Sequence, residues 1–514
     1  MGVIARQSIK GALANYLGVA IGFVITFFVL TRCLTEEEVG LTRVMVDAAM
    51  LFSCLAQLGT NASVVRFFPH FRTDPGYDGA TPHHGIFGLA LLVPLAGFVV
   101  FGVLFLVFHG PLVEAYSARS PLIADYFYLL PMLTFFALYL TVFETGASVL
   151  MRITVPRMVR EVGVRLFNLA AYLLYGAGLI TLPAFVWLFC GSYGVAMLLN
   201  VWYLLRITGF DLRIFKVDWS FLTRERVRGM LRYTLFMTAT VLAGNIPLVN
   251  SLFLGAKAGA ALTGVYAIAS YIANVVEVPY RSLGAISRPV VATAVKEGDW
   301  AEVNRLGRQV SLHQLLVSLV IFYLIWINLP ALYALIPNGA AYAGGMGVVL
   351  LLGLAKVLNS SLSIGTDVLN YSHHYSRALL FIAVLTASAI VLNTKLIGLW
   401  GIAGAAAATL LSYVLYFALL LAYLWRRLGV ALFSAAQLKV LVLLAAAFGL
   451  DALWRAALTP LLAAGAGGVL PVLADALLKS LLLGGLLMAG VYAWRVSPTL
   501  NDIVQRHTRK ILHR

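Results

Sequence analysis

Runs of about 20 apolar residues, parted by short polar or charged breaks, recur along the whole of this 514-residue chain. A helix rises 1.5 Å per residue, so each run is long enough to cross the roughly 30 Å hydrocarbon core of a bilayer. The pattern predicts fourteen spans, at 8–31, 41–62, 85–109, 121–149, 162–180, 183–205, 231–254, 260–283, 309–330, 344–369, 376–394, 398–424, 437–456 and 473–494. The first is too long for a signal-peptide core and carries Asn15 and Tyr16. No small-residue cleavage site follows it, so it is expected to stay in the protein.

Composition agrees with that pattern and excludes a soluble globule. Hydrophobic residues make up 61% of the chain and charged residues 11%, with a mean hydropathy of +0.92. That leaves too little polar surface to cover a water-soluble fold. The expected fold class is an all-α polytopic membrane protein.

Charge orients the spans. Most of the 37 Lys and Arg residues fall at the termini and in alternate breaks, among them Arg152 to Arg165, Arg206 to Arg232, Arg281 to Arg308, Arg426 to Lys439 and Arg495 to Arg514. The opposite breaks hold few, such as Arg32, Arg119 and Lys257. By the positive-inside rule, an even number of spans with this bias puts both termini in the cytoplasm. The net charge of +16 is then a set of loops facing anionic headgroups, and no basic–aromatic surface for nucleic acid is evident. Cys33, Cys54 and Cys190 lack metal-ligand or disulfide spacing, and no cofactor is expected.

The breaks are too short to hold a soluble catalytic domain, which argues against an enzyme. No GxxxxGK[ST] loop is present, so ATP is not the expected energy source and a proton or sodium gradient stays open. A loose repeat is visible. After the first span the chain reads Val39-Gly40-Leu41, a span, then Arg66-Phe67-Phe68-Pro69; after the seventh it reads Thr263-Gly264-Val265-Tyr266, a span, then Ser287-Arg288-Pro289. Both copies start on the same side, so the repeat would be parallel.

On these residues the chain resembles a known family. Segments 27–69 and 231–310, with the Gly264-Val265-Tyr266 helix start, the Pro289 helix end and the Gly298-Asp299 turn, are similar to the polysaccharide transporter branch of the multidrug/oligosaccharidyl-lipid/polysaccharide flippase superfamily. The resemblance implies two pseudo-symmetric six-helix lobes, 1–230 and 231–430, with two additional helices and a basic tail at 431–514. It also implies a flippase that carries a polyprenyl diphosphate-linked oligosaccharide from the cytoplasmic to the outer leaflet of a bacterial inner membrane by alternating access. Pathway polymerases and glycosyltransferases are its expected partners, beside membrane lipids. Where many members have an acid near the end of the seventh helix this chain has Asn250, which puts a charge-coupled role there in doubt.

Ionisable residues inside spans are costly and mark pathways or buried pairs. In the tenth span Lys356, Ser360, Ser363, Asp367 and Asn370 share one helical stripe, with Asn359 at its margin. This face either lines the translocation cavity, Lys356 attracting a diphosphate, or holds a Lys paired with a carboxylate of another helix. In the eighth span Asn274, Glu277 and Arg281 form a second stripe, read as an inner gate or as a Glu277–Arg281 ion pair. Glu144 has three open readings: facing the cavity, pairing with Arg165, or titrating as a coupling carboxylate. Asn15 is a lesser cavity candidate, and Arg43–Asp47 and Asp451–Arg455 read as local pairs. Two competitors remain, a cation-coupled multidrug exporter of the same superfamily and a membrane-embedded glycan polymerase or ligase.

Overall fold

The computed structural model describes residues 18–73, 81–244, 246–459, 469–497 and 501. Asn15 and the basic tail from residue 502 onward lie outside them. Sixteen main helices follow in order: α1 (Gly18–Cys33), α2 (Glu36–Ala56), α3 (Thr60–Phe71), α4 (Ile86–Ser117), α5 (Leu130–Val149), α6 (Val164–Gly176), α7 (Leu182–Ile207), α8 (Arg224–Gly244), α9 (Ile246–Lys257), α10 (Ala260–Asn274), α11 (Val278–Glu297), α12 (Trp300–Leu335), α13 (Met346–Tyr371), α14 (Ser376–Leu428), α15 (Ala435–Ala457) and α16 (Val469–Ala493). There is no strand among the described residues. Ten helical stretches among the described residues are long and apolar enough to span a bilayer. One of them, α14, has 53 residues and breaks at Gly401, whose φ of 56° and ψ of −129° let the chain turn between the eleventh and twelfth expected spans.

Helix ends explain where the structure departs from the apolar pattern. The acidic Glu36-Glu37-Glu38 segment is the first turn of α2 and not a loop. A reciprocal capping box forms it: the Glu38 N–H donates to Thr35 Oγ1 at 3.3 Å and the Thr35 N–H donates to Glu38 Oε2 at 2.8 Å. Three carboxylates there also complement the positive end of the helix dipole. The expected second span to residue 62 ends sooner, at Ala56, because Leu58 and Gly59 adopt positive φ and α3 starts afresh. The expected eighth span is two helices. Pro279 offers no N–H to the Val275 carbonyl, so a tight turn, Val275–Glu277, separates α10 from α11. At the Gly298-Asp299 turn Gly298 is left-handed, and the Asp299 carboxylate caps α12 through the Glu302 N–H at 2.9 Å.

The chain divides into two compact units, Met1–Ala267 and Ile268–Arg514, the boundary falling within α10. In the first unit Val64, Phe71, Phe87, Leu138 and Leu204 belong to a core built from α3, α4, α5 and α7. Here α2 is the inner element, with 61% of its most apolar window buried, against 22% for the stretch containing α4, whose side chains are left for lipid. The two repeat glycines also meet in this unit. A Cβ on Gly40 would collide with the Ala260 carbonyl, and one on Gly264 with the Glu36 carbonyl. Residues 36 and 40 thus exchange contacts with 260 and 264 reciprocally, as two copies related by a pseudo-two-fold axis do.

In the second unit α12 is the spine. Its Phe322, Tyr323 and Ile327 pack with residues of α13, α15 and α16 in one core. Polar bonds at several depths fasten α15 and α16 to it: Tyr323 Oη donates to the Ala447 carbonyl at 2.9 Å, Asn328 Nδ2 to Ser480 Oγ at 2.8 Å, and Gln437 Nε2 to Ser311 Oγ at 2.9 Å. Inside the bilayer apolar burial gives helices little reason to associate, so such bonds and close packing hold them together.

Candidate functional site

The polar stripe of the tenth expected span lies on α13, and its charges meet partners near α11. Lys356 Nζ donates to Glu277 Oε2 at 3.1 Å, and Asn359 Nδ2 donates to Glu277 Oε1 at 2.9 Å. Both ionisable groups are buried. Glu277 closes the tight Val275–Glu277 turn that joins α10 to α11, two residues before Pro279. Lys356 is its described charge partner; the Arg281 side chain, the expected partner one turn away, lies outside the described residues. Asn274 ends α10, half-buried, one turn before Glu277.

Three turns further along, a second pair runs the other way. Arg288 Nε donates to Asp367 Oδ2 at 3.1 Å, and Arg288 Nη2 donates to Tyr280 Oη at 2.6 Å. Glu277 and Arg288 are eleven residues apart, as are Lys356 and Asp367. Eleven residues make three turns of helix, so both pairs lie on one face of each helix and about 16 Å apart along it. The acid is on the α11 side in the first pair and on α13 in the second. Between the pairs α13 presents Ser360 and Ser363; Ser360 is buried and its Oγ has no hydrogen-bond partner. Asn370, at the end of the stripe, is exposed.

Arg288 and Tyr280 are new members of this face. In the sequence Arg288 stood only in the Ser-Arg-Pro motif that ends a repeat, and the signal that would have found it is the shared eleven-residue spacing on two helices. The repeat counterpart Arg66 also sits against a tyrosine, its guanidinium 4.3 Å from the Tyr233 ring centre.

Glu144 and Arg165 lie in the first unit and belong to a separate network. Glu144 accepts from Arg160 Nη1 at 2.7 Å, not from Arg165. A reversed Met151 (φ 60°) and a π-helical turn at Val159–Gly163 bring Arg160 round to the end of α5. Arg165, on α6, donates to the Gly18 carbonyl of α1 and pairs with Glu161 of the π-helical turn at 3.3 Å. The Arg43–Asp47 pair forms as expected but is not only local: Ser251 Oγ donates to Asp47 Oδ2 at 2.6 Å, beside Asn250, whose Nδ2 donates to Tyr266 Oη at 2.8 Å. A buried carboxylate therefore does sit at the end of the seventh segment, supplied by α2. Asp451–Arg455 forms at 2.7 Å. Among the described residues no three His, Cys, Asp or Glu side chains gather as metal ligands would.

Together these features make a polytopic all-α bundle of membrane-spanning length with a charge pair buried in its spans. Solved structures with the same fold include the lipid II flippase MurJ in an inward closed conformation, with a TM-score of 0.68 at 10% identity over 96% of this chain and 100% of that one. An inward-facing multidrug resistance MATE family transporter of the MOP superfamily gives a TM-score of 0.55 at 14% identity, over 80% of this chain and 97% of that one. A MOP superfamily transporter from Pyrococcus furiosus gives 0.51 at 13% identity, over 81% and 94%. No curated protein matches the chain in sequence. The model of the polysaccharide biosynthesis protein family matches residues 4–291, more than half of the chain, and the chain belongs to that family.

Proposed function

We propose that this protein translocates a polyprenyl diphosphate-linked oligosaccharide from the cytoplasmic to the outer leaflet of a bacterial inner membrane, for O-antigen, capsule or exopolysaccharide synthesis. The observation that carries the reading is the charged face of α11 and α13, with its Lys356–Glu277 pair buried within the spans of a chain from a polysaccharide biosynthesis family. Ionisable groups at that depth are retained where a polar cargo passes. Lys356 and Arg288 supply cations for a diphosphate; Asn359, Ser360 and Ser363 supply hydrogen-bonding groups for sugar.

No bond in the cargo is made or broken. The task is to shield a charged, hydrated headgroup while its lipid tail stays in the bilayer. The organisation that goes with this is alternating access by lobes 1–230 and 231–430, with both termini cytoplasmic and a proton or sodium gradient, or downstream consumption of the product, giving direction. The family match favours this reading over drug export, and the lack of an inserted soluble domain favours it over a polymerase or ligase. The test is deletion of the protein in its native cell. Lipid-linked oligosaccharide should accumulate on the cytoplasmic side and return to normal on complementation; unchanged distribution overturns the reading.

A further inference from the structure

The two charge pairs that join the α11 segment to α13 have the same register: Glu277 and Lys356 differ by 79 residues, and so do Arg288 and Asp367. Their polarity is opposite, which leaves one cation and one carboxylate on each side and two cations about three turns apart. Simple helix fastening does not call for this. Small residues and neutral hydrogen bonds join helices in a bilayer, and a buried ion pair is often no more stabilising than an apolar pair of the same volume.

Each pair instead has the parts of an anion site already filled by an anion. At the deeper one, Glu277 accepts from an ammonium and an amide, the donors that a phosphate oxygen would take. At the other, Asp367 takes one edge of a guanidinium, the group best shaped for bidentate phosphate binding. Ser360, buried between them with its hydroxyl unpartnered, is an unused hydrogen-bonding group on the path from one to the other.

We infer that Glu277 and Asp367 are stand-ins for the phosphates of the transported headgroup: each holds the cation that a diphosphate takes, is displaced when it binds, and ejects it by returning. This rests on the flippase reading and adds a release mechanism to it. A carboxylate that competes for the cation weakens binding and speeds unloading, and two such stations let the headgroup advance stepwise from Arg288 to Lys356 or back.

The experiment uses the full chain in zwitterionic nanodiscs, with a short polyprenyl diphosphate as probe and inorganic diphosphate as the tail-free control. Binding affinity, the rise in unfolding temperature on binding, and glycan export in cells are measured. Glu277→Gln and Asp367→Asn should each bind the probe roughly tenfold more tightly, within the usual range of coupling between two ligands of one protein. They should gain more thermal stabilisation from the probe than wild type does, yet export more slowly because release is impaired. Glu277→Asp keeps the charge and should stay near wild type. If Glu277→Gln does not fold, Asp367→Asn, at the more exposed pair, carries the test alone. Unchanged or weaker binding in the folded variants, with wild type binding normally, makes the carboxylates fixed clamps and overturns the inference while the flippase reading stands. A wild-type protein that binds neither probe removes both.

Discussion

Lys356→Met removes one partner of a buried pair and leaves the Glu277 carboxylate with Asn359 as its remaining partner in the described contacts. Breaking a buried pair from one side costs about 3–5 kcal/mol, because the survivor keeps its desolvation penalty without its counter-charge. Replacing both partners, as Lys356→Met with Glu277→Gln, removes the two penalties together and should restore most of that loss. The difference is a coupling energy, expected near 3 kcal/mol, the upper end for residues in direct contact. Equilibrium unfolding of the full chain in mixed micelles, on wild type, both single variants and the double, reads it directly. A Lys356→Met protein as stable as the double variant would refute the reasoning. Export separates stability from function: the double variant should fold and still fail to export, having lost the deeper cation. Wild-type export by the double variant would take Lys356 out of the pathway.

Other consequences follow from the first unit. Gly264→Ala and Gly40→Ala each drive a Cβ into a backbone carbonyl, so both should lower the unfolding temperature and abolish export, whereas Ala at the unobstructed Gly347 should not. Thr35→Ala removes one half of the α2 capping box and should cost about 1 kcal/mol in the same unfolding assay. In the loop before α8, the Asp218 carboxyl is held below its usual range, chiefly by the Ser220 hydroxyl at 2.5 Å and further by His84 and the backbone N–H groups of Phe221 and Ser220. A depressed folded pKa stabilises above the unfolded value of about 4 and is lost as the pH falls through the folded one. Limited proteolysis of this loop should therefore accelerate below about pH 4 in wild type, and Asp218→Asn should already be cleaved faster at neutral pH and show a flatter acid response.

The helices were legible in the sequence because span length and apolarity are properties of each segment alone. Their ends were less so. Glu36 to Glu38 reads as a charged loop until the Thr35–Glu38 box shows it to be a helix start, and the polar first turn of α8 at Arg224 looks like connection. The stripe on α13 was visible from its spacing, since Lys356, Ser360, Ser363 and Asp367 share a face whatever lies opposite. Partners were not visible: Lys356, the described partner of Glu277, is 79 residues away, and that contact depends on how α11 packs on α13. The Glu144–Arg165 pairing does not form for the same reason, the partner Arg160 being set by a reversed residue and a π turn that hydrophobic periodicity does not register.

The central claim is transport of a lipid-linked glycan, and reconstitution tests it most directly. Purified full-length protein in liposomes carrying a fluorescent polyprenyl diphosphate-linked oligosaccharide should move it between leaflets, exposing it to a membrane-impermeant quencher or glycosidase. The Lys356→Met, Glu277→Gln double variant should stay at the rate of protein-free liposomes. Wild type no faster than protein-free liposomes, under either sign of proton or sodium gradient, would contradict the account.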